Sequence, residues 1–506
     1  GPGTVRLSKL AEGLPLRLAG PPGDPEVRGI THDSRRAGTG ILFAAFPGSK
    51  LDGRAFVAEA VLSGAPAALG PALAPDGVEV PYLEVENPRR AAGLLAGRLA
   101  GDPSGRLVMA GVTGTSGKTT TTLLLDAVLA GAHPKRGLFG TLVYRWSEGA
   151  AGTLDASRTT PEATELQPML AALVADGGTA ATLECSSHAL WLERLAGCAF
   201  DVAVFLNLSR DHLDDHGTME EYFEEKAKLF SLLKPGGTGV VNADDAWGRK
   251  LLERLPRDRT LSFSLSAGSG ADVLGEARPS AGGIALRVER RATGEVVEIA
   301  SPLLGAPNAE NLLAAAAAAL ALGLPPAEIA ERLASVSSVP GRLEPVPNDA
   351  GLLVLVDYAH KPGALEGVLR TTRSLAVARG GALHTVFGCG GDRDRGKRPE
   401  MGRIAAELAD RVVVTSDNPR SEDPAAIVAE VVAGVEAAGR RAVVVLDRRE
   451  AIFHALESAS ANDVVVVAGK GHETYQVTAG RSEPFDDRIV AREALARLER
   501  GKKGRR

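Results

Sequence analysis

An apolar run that ends in glycines, a lysine and threonines leaves this chain few folding options. Leu107 to Ala110 reads as a buried strand, Gly111, Gly114 and Gly117 permit a tight turn, and the stretch from Thr119 onward (TTTTLLLDAVLAG) reads as a helix. Strand, glycine turn and helix N-terminus together form an anion cradle. Backbone N–H groups point inward, the helix dipole favours negative charge, Lys118 can reach terminal phosphates and Thr119 can ligate magnesium. Five residues separate Gly111 from Gly117, so the spacing departs from the strict GxxxxGK[ST]. A bland glycine turn with a surface lysine is the competing reading. The rest of the chain weighs against it.

At 506 residues the length suggests roughly three domains, each able to bury a core. The 58 basic and 63 acidic side chains nearly cancel, which gives no electrostatic case for nucleic acid or a membrane surface. Three cysteines (Cys185, Cys198, Cys389) do not make a disulfide framework and fit a reducing compartment. The longest apolar stretch, Leu312 to Leu324, is alanine-rich and too short to span a bilayer, and no signal peptide opens the chain. The expectation is a cytoplasmic, multidomain protein.

The turn-rich Gly101-Asp-Pro-Ser-Gly105 marks a first boundary and Gly341-Arg342 a second, giving domains at 1–104, 105–340 and 341–506. In the first, Thr31-His-Asp-Ser-Arg35 precedes an apolar run. In the second, Thr179 to Leu183, Val202 to Leu206 and Gly239 to Val241 read as strands that run into ECSSH (184–188), NLSRDHLD (207–214) and NADD (242–245). Helices are expected over Met219 to Leu233 and, Asn-capped, over Asn308 to Leu322. In the third, Leu352–Val356, Ala382–Phe387, Arg411–Thr415, Arg441–Leu446 and Asp463–Val467 alternate with amphipathic helices. Four of these strands end in DYAH, GCGGDRD, SDNPR and AGKGHE. Such alternation predicts an α/β protein with a central P-loop ATPase domain built on a mostly parallel sheet and a Rossmann-like, doubly wound C-terminal domain. Ligands in such sheets bind beyond the carboxyl ends of the strands, where the polar clusters fall. The charged rim of the last domain suggests a zwitterionic ligand.

Thr119, Glu184 and His212 are natural magnesium ligands, His212 being the least expected because magnesium prefers oxygen. His212 could instead cap a helix near Asp211. Cys185 beside His188 reads as a buried, inert thiol rather than a nucleophile. Nucleotide chemistry divided between two α/β domains suggests closure of one upon the other with water excluded.

With these residues assembled, the chain resembles the Mur ligases over essentially its whole length. The motifs occur in the family's order: DSR at 33–35, GTxGKTT, TTPE at 159–162, ExSSHAL at 184–190, NLSRDHLDxHG at 207–217 and YxxxK at 222–226. NADD, NxxN at 308–311, GRxE at 341–344, DYAH, GxGGDRD, DNPR and GKGHE follow. The resemblance is to the branch that adds the third amino acid of the peptidoglycan precursor. It implies transfer of an amino acid to UDP-MurNAc-L-Ala-D-Glu with ATP cleaved to ADP and phosphate through an acyl phosphate, so that catalysis is mainly positioning and charge stabilisation.

By that resemblance ATP is held by Gly114, Thr115, Ser116, Gly117, Lys118, Thr119 and Thr120 together with Asn308, Arg342 and His360. The implied catalytic set is Lys118, Lys226, Glu184 and His212, with Mg2+ on Thr119, Glu184, His212 and a carbamylated Lys226. Ser34, Thr159, Thr160, Ser186 and Arg194 fall where the family holds the UDP-sugar peptide. Arg393, Asp417, Asn418, Pro419, Arg420, Gly469 and Glu473 fall where it selects the amino acid. The full DNPR match implies meso-diaminopimelate, with Arg420 as a buried cation for its distal carboxylate and Glu473 for its distal ammonium. A monomer working on small molecules, away from membrane and nucleic acid, is expected.

Several residues depart from the pattern. Ser116 replaces Asn, Arg158 and Leu192 replace Asn and Gln at the UDP-substrate site, Glu225 sits beside Lys226, and Lys361 follows DYAH. The alternatives are the same ligase acting on L-lysine or L-ornithine, a folylpolyglutamate synthetase or D-Ala-D-Ala-adding relative, a P-loop regulatory ATPase whose third domain binds a partner, and a non-enzymatic nucleotide-binding module.

Overall fold

The computed structural model describes residues 3–48, 50–146, 153–155, 159–209, 217–280, 282–504. Three larger sheets carry the chain in order along the sequence. His212 and Arg158 lie outside the described residues, so their expected roles have no structural counterpart here.

The first sheet orders its strands Arg17–Ala19, Tyr82–Glu84, Ala68–Gly70, Ile41–Ala44 and Gly29–Thr31, parallel except at Arg17–Ala19. It is followed by the helix Pro88–Leu99, which has every local reason to start there. The Asn87 side chain accepts from the Arg90 N–H, and Pro88 fills the first helical position, where no N–H is needed. Gly93 lets this helix settle directly on the central region. A Cβ there would lie 2.6 Å from that of Ala196 and 3.1 Å from that of Ala163.

The central sheet has eleven strands among the described residues. It is parallel from Arg136–Phe139 to Val273–Ser280 and antiparallel at both edges. Val108–Thr113 lies in its middle, between Ala180–Glu184 and Phe200–Phe205. Side chains alternate across it. Ala110 and Val112 join one core with the helices Lys118–Leu129 and Ala306–Ala321, while Met109 joins the opposite core with Phe205 and Phe223. The alanines from Ala314 to Ala319 are fully buried, and their small size lets that helix lie close to the sheet.

Two local expectations change. The strand continues through Gly111 to Thr113, so Gly111 does not turn the chain; it makes room, since a Cβ there would lie 2.8 Å from the Phe200 ring. Asn308 does not cap its helix. Gly305 occupies the cap position, and Asn308 sits inside, donating from Nδ2 to the Leu304 carbonyl at 2.8 Å.

The last sheet runs Glu344–Pro345, Leu353–Asp357, Val464–Ala468, Leu383–Phe387, Arg411–Val414, Val443–Val444 and is parallel except at its first strand. Leu355 faces one core and Val354 and Val356 the other, as a sheet covered on both faces requires. The strand expected over Arg441–Leu446 shrinks to two exposed valines, because it is an edge with a partner on one side only. Among the described residues no helix is long and apolar enough to cross a membrane.

Candidate active site at the carboxyl ends of two sheets

Register explains why the phosphate loop has the neighbours it has. Val112 pairs with Glu184 on one side, and Thr113 pairs with Phe205 on the other. Both flanking strands therefore release their chains beside the loop, one into Glu184 and the other towards Asn207.

Asn207 is the residue that sequence reasoning passed over. Its Oδ1 accepts the N–H groups of Thr115 and Ser116, each at 3.0 Å, and its Nδ2 donates to the Ser116 carbonyl at 3.0 Å. The loop is thus held through its backbone. At Ser116 the bonds to Asn207 run through the backbone N–H and carbonyl, while its side chain is exposed. Gly117, at φ +88°, turns into the helix where a Cβ would fall 2.4 Å from Asn311 Oδ1. Asn311 in turn accepts from Thr121 Oγ1 at 3.2 Å and donates to Asn308 Oδ1 at 3.2 Å, which brings the Ala306–Ala321 helix against the loop.

Lys118 donates to the Gly114 carbonyl at 2.7 Å and the Thr115 carbonyl at 3.3 Å. Lys118 is part-buried. Burial lowers its pKa; Glu184 opposes that, while Arg342 and Lys361 from the last domain add repulsion. Those two cations bring charge of the last domain within electrostatic reach of the loop. Thr120 is buried on the same helix.

Thr119 Oγ1 donates to Glu184 Oε1 at 2.9 Å, both residues being buried. Thr141, another residue the sequence reading missed, donates to the same carboxylate from its N–H (2.9 Å) and its hydroxyl (3.0 Å). Gly140 keeps the space open, since a Cβ there would lie 2.7 Å from Glu184 Oε2. An all-oxygen donor pair is of the kind Mg2+ prefers. Among the described residues no three His, Cys, Asp or Glu side chains converge.

Lys226 is 1 % exposed and donates to the Gly114 carbonyl at 2.9 Å, with its ammonium 4.8 Å from the Tyr222 ring centre. Burial first, and the Lys118 charge second, hold its pKa well below 10.5. Glu225 turns away to Lys228 at 3.0 Å. Cys185 is buried with its thiol pKa pushed up by burial, as expected of an inert cysteine.

Thr159 meets Thr141 hydroxyl to hydroxyl at 3.2 Å, and buried Thr160 donates to the Glu184 carbonyl at 2.8 Å. Arg194 donates to Glu162 at 3.3 Å and to the Thr160 carbonyl at 3.5 Å, and Ser186 caps the helix Ser187–Trp191. Ser34 lines a cavity of about 580 Å³ shared with His32, Phe46, Arg89 and Glu162. This cavity joins the first domain to the second. His32 stacks on Phe46 at 5.3 Å and the Arg89 guanidinium lies 4.6 Å from the same ring, a flat cationic wall suited to a heterocycle. The polar run at 31–35 was the only signal of it in the sequence.

In the last domain Arg342 lies 4.7 Å from the Tyr358 ring centre, and His360 packs on the same ring at 4.6 Å while donating from Nδ1 to the Tyr358 carbonyl. Burial lowers the His360 pKa. Gly388, Thr415 and Ala468 end adjacent strands or stand just beyond them, which brings Arg393, the Asp417–Arg420 run, Gly469 and Glu473 to one rim. Pro419 accepts the Glu422 N–H, and a Cβ on Gly469 would lie 2.6 Å from Asp417 Oδ2. Arg420 is not the buried cation the sequence suggested. It is half-buried, donates to the Gly391 carbonyl at 2.8 Å, and stands at φ +53° with its N–H on the Val477 carbonyl. Among the buried cations at this rim is Lys470, which lies 3.7 Å from Glu473.

A phosphate loop and a charged rim at the carboxyl ends of two parallel sheets define an enzyme that spends a nucleoside triphosphate on joining two small molecules. The chain belongs to the Mur ligase family: residues 112–319 match the Mur ligase middle domain, 341–471 the Mur ligase glutamate ligase domain and 26–98 the Mur ligase family catalytic domain. It is 44% identical over 487 residues to the UDP-N-acetylmuramoyl-L-alanyl-D-glutamate–2,6-diaminopimelate ligase of Solibacter usitatus, covering 95% of this chain and 96% of that one. To the protein of the same name from Parasynechococcus marenigrum it is 46% identical, with the same coverage of both. A solved structure of such a diaminopimelate ligase superposes with a TM-score of 0.70 at 34% identity, covering 98% of this chain and all of that one. The MurF ligase of Thermotoga maritima in complex with ADP shares the fold (TM-score 0.58, 21% identity, 95% of this chain and 99% of that one).

Proposed function

We propose that this chain is the ATP-dependent ligase that adds meso-2,6-diaminopimelate to UDP-MurNAc-L-Ala-D-Glu, forming ADP and phosphate. The observation that carries it is the loop itself, with Lys118 at the helix start and Thr119 on Glu184, and the charge of Arg342 and Lys361 of the last domain acting on Lys118. Residues 1–104 hold the UDP-sugar end, 105–340 hold ATP, and 341–506 hold the amino acid. The work is done in the cytoplasm.

Loop N–H groups and Lys118 bind and orient the ATP phosphates, and Lys118 offsets charge that develops on the transferred phosphoryl group. Thr119 and Glu184 would hold Mg2+, which supplies further charge neutralisation when bound. The γ-carboxylate of the D-Glu unit attacks the γ-phosphorus, ADP leaves, and an acyl phosphate results. The diaminopimelate amine then attacks the acyl carbon, and phosphate leaves with the former carboxylate oxygen. Lys226, whose protonated form is disfavoured by burial and by the Lys118 charge, is suited to take up carbon dioxide with loss of a proton. The carbamate would be an anionic oxygen ligand in place of a stranded cation, alongside His212.

Oxygen labelling tests the reading. With 18O in the γ-carboxylate of UDP-MurNAc-L-Ala-D-Glu, released phosphate carries one labelled oxygen. Unlabelled phosphate, or AMP and pyrophosphate as products, would contradict it.

A further inference from the structure

Arg448 and Asp487 are both 0 % exposed. Two charges removed from water gain little from each other unless the geometry is excellent, so such a pair asks for a reason beyond stability. The pair is fully formed: Arg448 Nε donates to Asp487 Oδ1 at 2.8 Å and Nη2 to Oδ2 at 2.7 Å. The outward edge of the same guanidinium carries two more bonds. Nη1 donates to the Ser416 carbonyl and Nη2 to the Ala468 carbonyl, each at 3.0 Å. Ser416 immediately precedes the Asp417–Arg420 run and Ala468 immediately precedes Gly469. One planar side chain therefore grips the roots of both loops.

Further out the loops are tied again. Lys470 Nζ donates to Asn418 Oδ1 at 3.1 Å, Val477 N–H donates to the same oxygen at 2.9 Å, and Gln476 Nε2 donates to the Asp417 carbonyl at 2.7 Å. We propose that Arg448, oriented by Asp487, is a positioning residue for amino-acid selection. It fixes the separation of the two loops and hence the span between Arg420 and Glu473 against which a diamino acid is measured. Neither Arg448 nor Asp487 touches the substrate. The inference rests on the proposed reading that these two loops bind the amino acid. The chemistry favours arginine over lysine, because only a rigid fork can hold a carboxylate on one edge and two carbonyls on the other. Burial opposes its charge, but Asp487, with Asp417 and Glu473 adding to the effect, keeps its pKa raised.

The test follows phosphate release while ATP, UDP-MurNAc-L-Ala-D-Glu and diaminopimelate are varied in turn. Two variants are used. Arg448→Met with Asp487→Leu removes both charges so that neither is stranded. Arg448→Lys keeps the charge and loses the fork. In variants that retain a cooperative melt, the KM for diaminopimelate should rise on the order of tenfold to a hundredfold, those for the other substrates staying within about twofold. Preference for diaminopimelate over lysine should fall with it. A folded variant with an unchanged diaminopimelate KM, or an equal rise for all three substrates, overturns the proposal. Failure of both variants to fold assigns the pair to stability alone and also overturns it. Wild-type protein that ignores diaminopimelate would instead sink the functional reading on which it rests.

Discussion

Lys226 occupies a poor place for a positive charge, enclosed by protein and repelled by Lys118. The proposed carbamate would turn that liability into an anion beside the loop. Lys226→Ala should then nearly abolish turnover, and added formate or acetate should restore part of it; full activity in the variant would refute the role. Glu310 shows the opposite shift. Burial first, then Asp244 and Asp245, push its carboxyl from 4.5 up to about 7, against the bond it accepts from Asn242. A raised folded-state pKa means that the fold keeps a proton the unfolded chain has released. Its stabilising contribution is thus complete below 4.5 and is lost as pH rises through about 7. Glu310→Gln cannot ionise, so the melting temperature of the wild type relative to the variant should fall between those pH values and then level off. A constant difference would contradict this. Residues of this kind differ in how readable they are. Lys118 and Glu184 announce themselves by position after strands, whereas Asn207 acts through its side-chain amide on another segment's backbone, and only the folded register reveals that.

The phosphate loop is held from its flanking elements more than by its own sequence. Asn207, at the end of the neighbouring strand, makes three bonds to Thr115 and Ser116 with its side chain. Asn207→Ala should leave the melt nearly intact but loosen the cradle, raising the KM for ATP and lowering kcat together. Loss of a preorganised anion site of this sort costs on the order of a hundredfold. Wild-type kinetics in the variant would show that the loop holds itself. The strand–turn–helix succession and the order of the polar clusters were legible, because the apolar periods and turn residues are local signals. What was not legible depended on distant neighbours. Gly111 reads as a turn residue until Phe200 is seen against it, and Arg441–Leu446 reads as a strand until it proves to be an edge. Asn308 looks like a cap until its amide is found on the Leu304 carbonyl.

On the scale of the molecule, a cavity of about 580 Å³ lies between the first sheet and Glu162 of the central region, and the proposed reading gives it to the UDP end. The proposed substrate chain from sugar to D-Glu carboxylate would start there, and the last domain then decides which amine completes the reaction. Diaminopimelate and lysine differ by one carboxylate. Withdrawing a desolvated charge partner commonly costs roughly 2–5 kcal/mol, enough to separate the two substrates. Arg420 is only half-buried and donates from Nη1 to the Gly391 carbonyl. The measurement that bears most directly on the whole account is a competition. Diaminopimelate, lysine and ornithine are supplied together with ATP, Mg2+ and UDP-MurNAc-L-Ala-D-Glu, and the products are weighed by mass spectrometry for wild type and Arg420→Ala. The account predicts the diaminopimelate adduct almost alone from the wild type, and its selective loss in the variant. A lysine or ornithine adduct as the main wild-type product, or an Arg420→Ala enzyme with the same product mixture and rate, would contradict it.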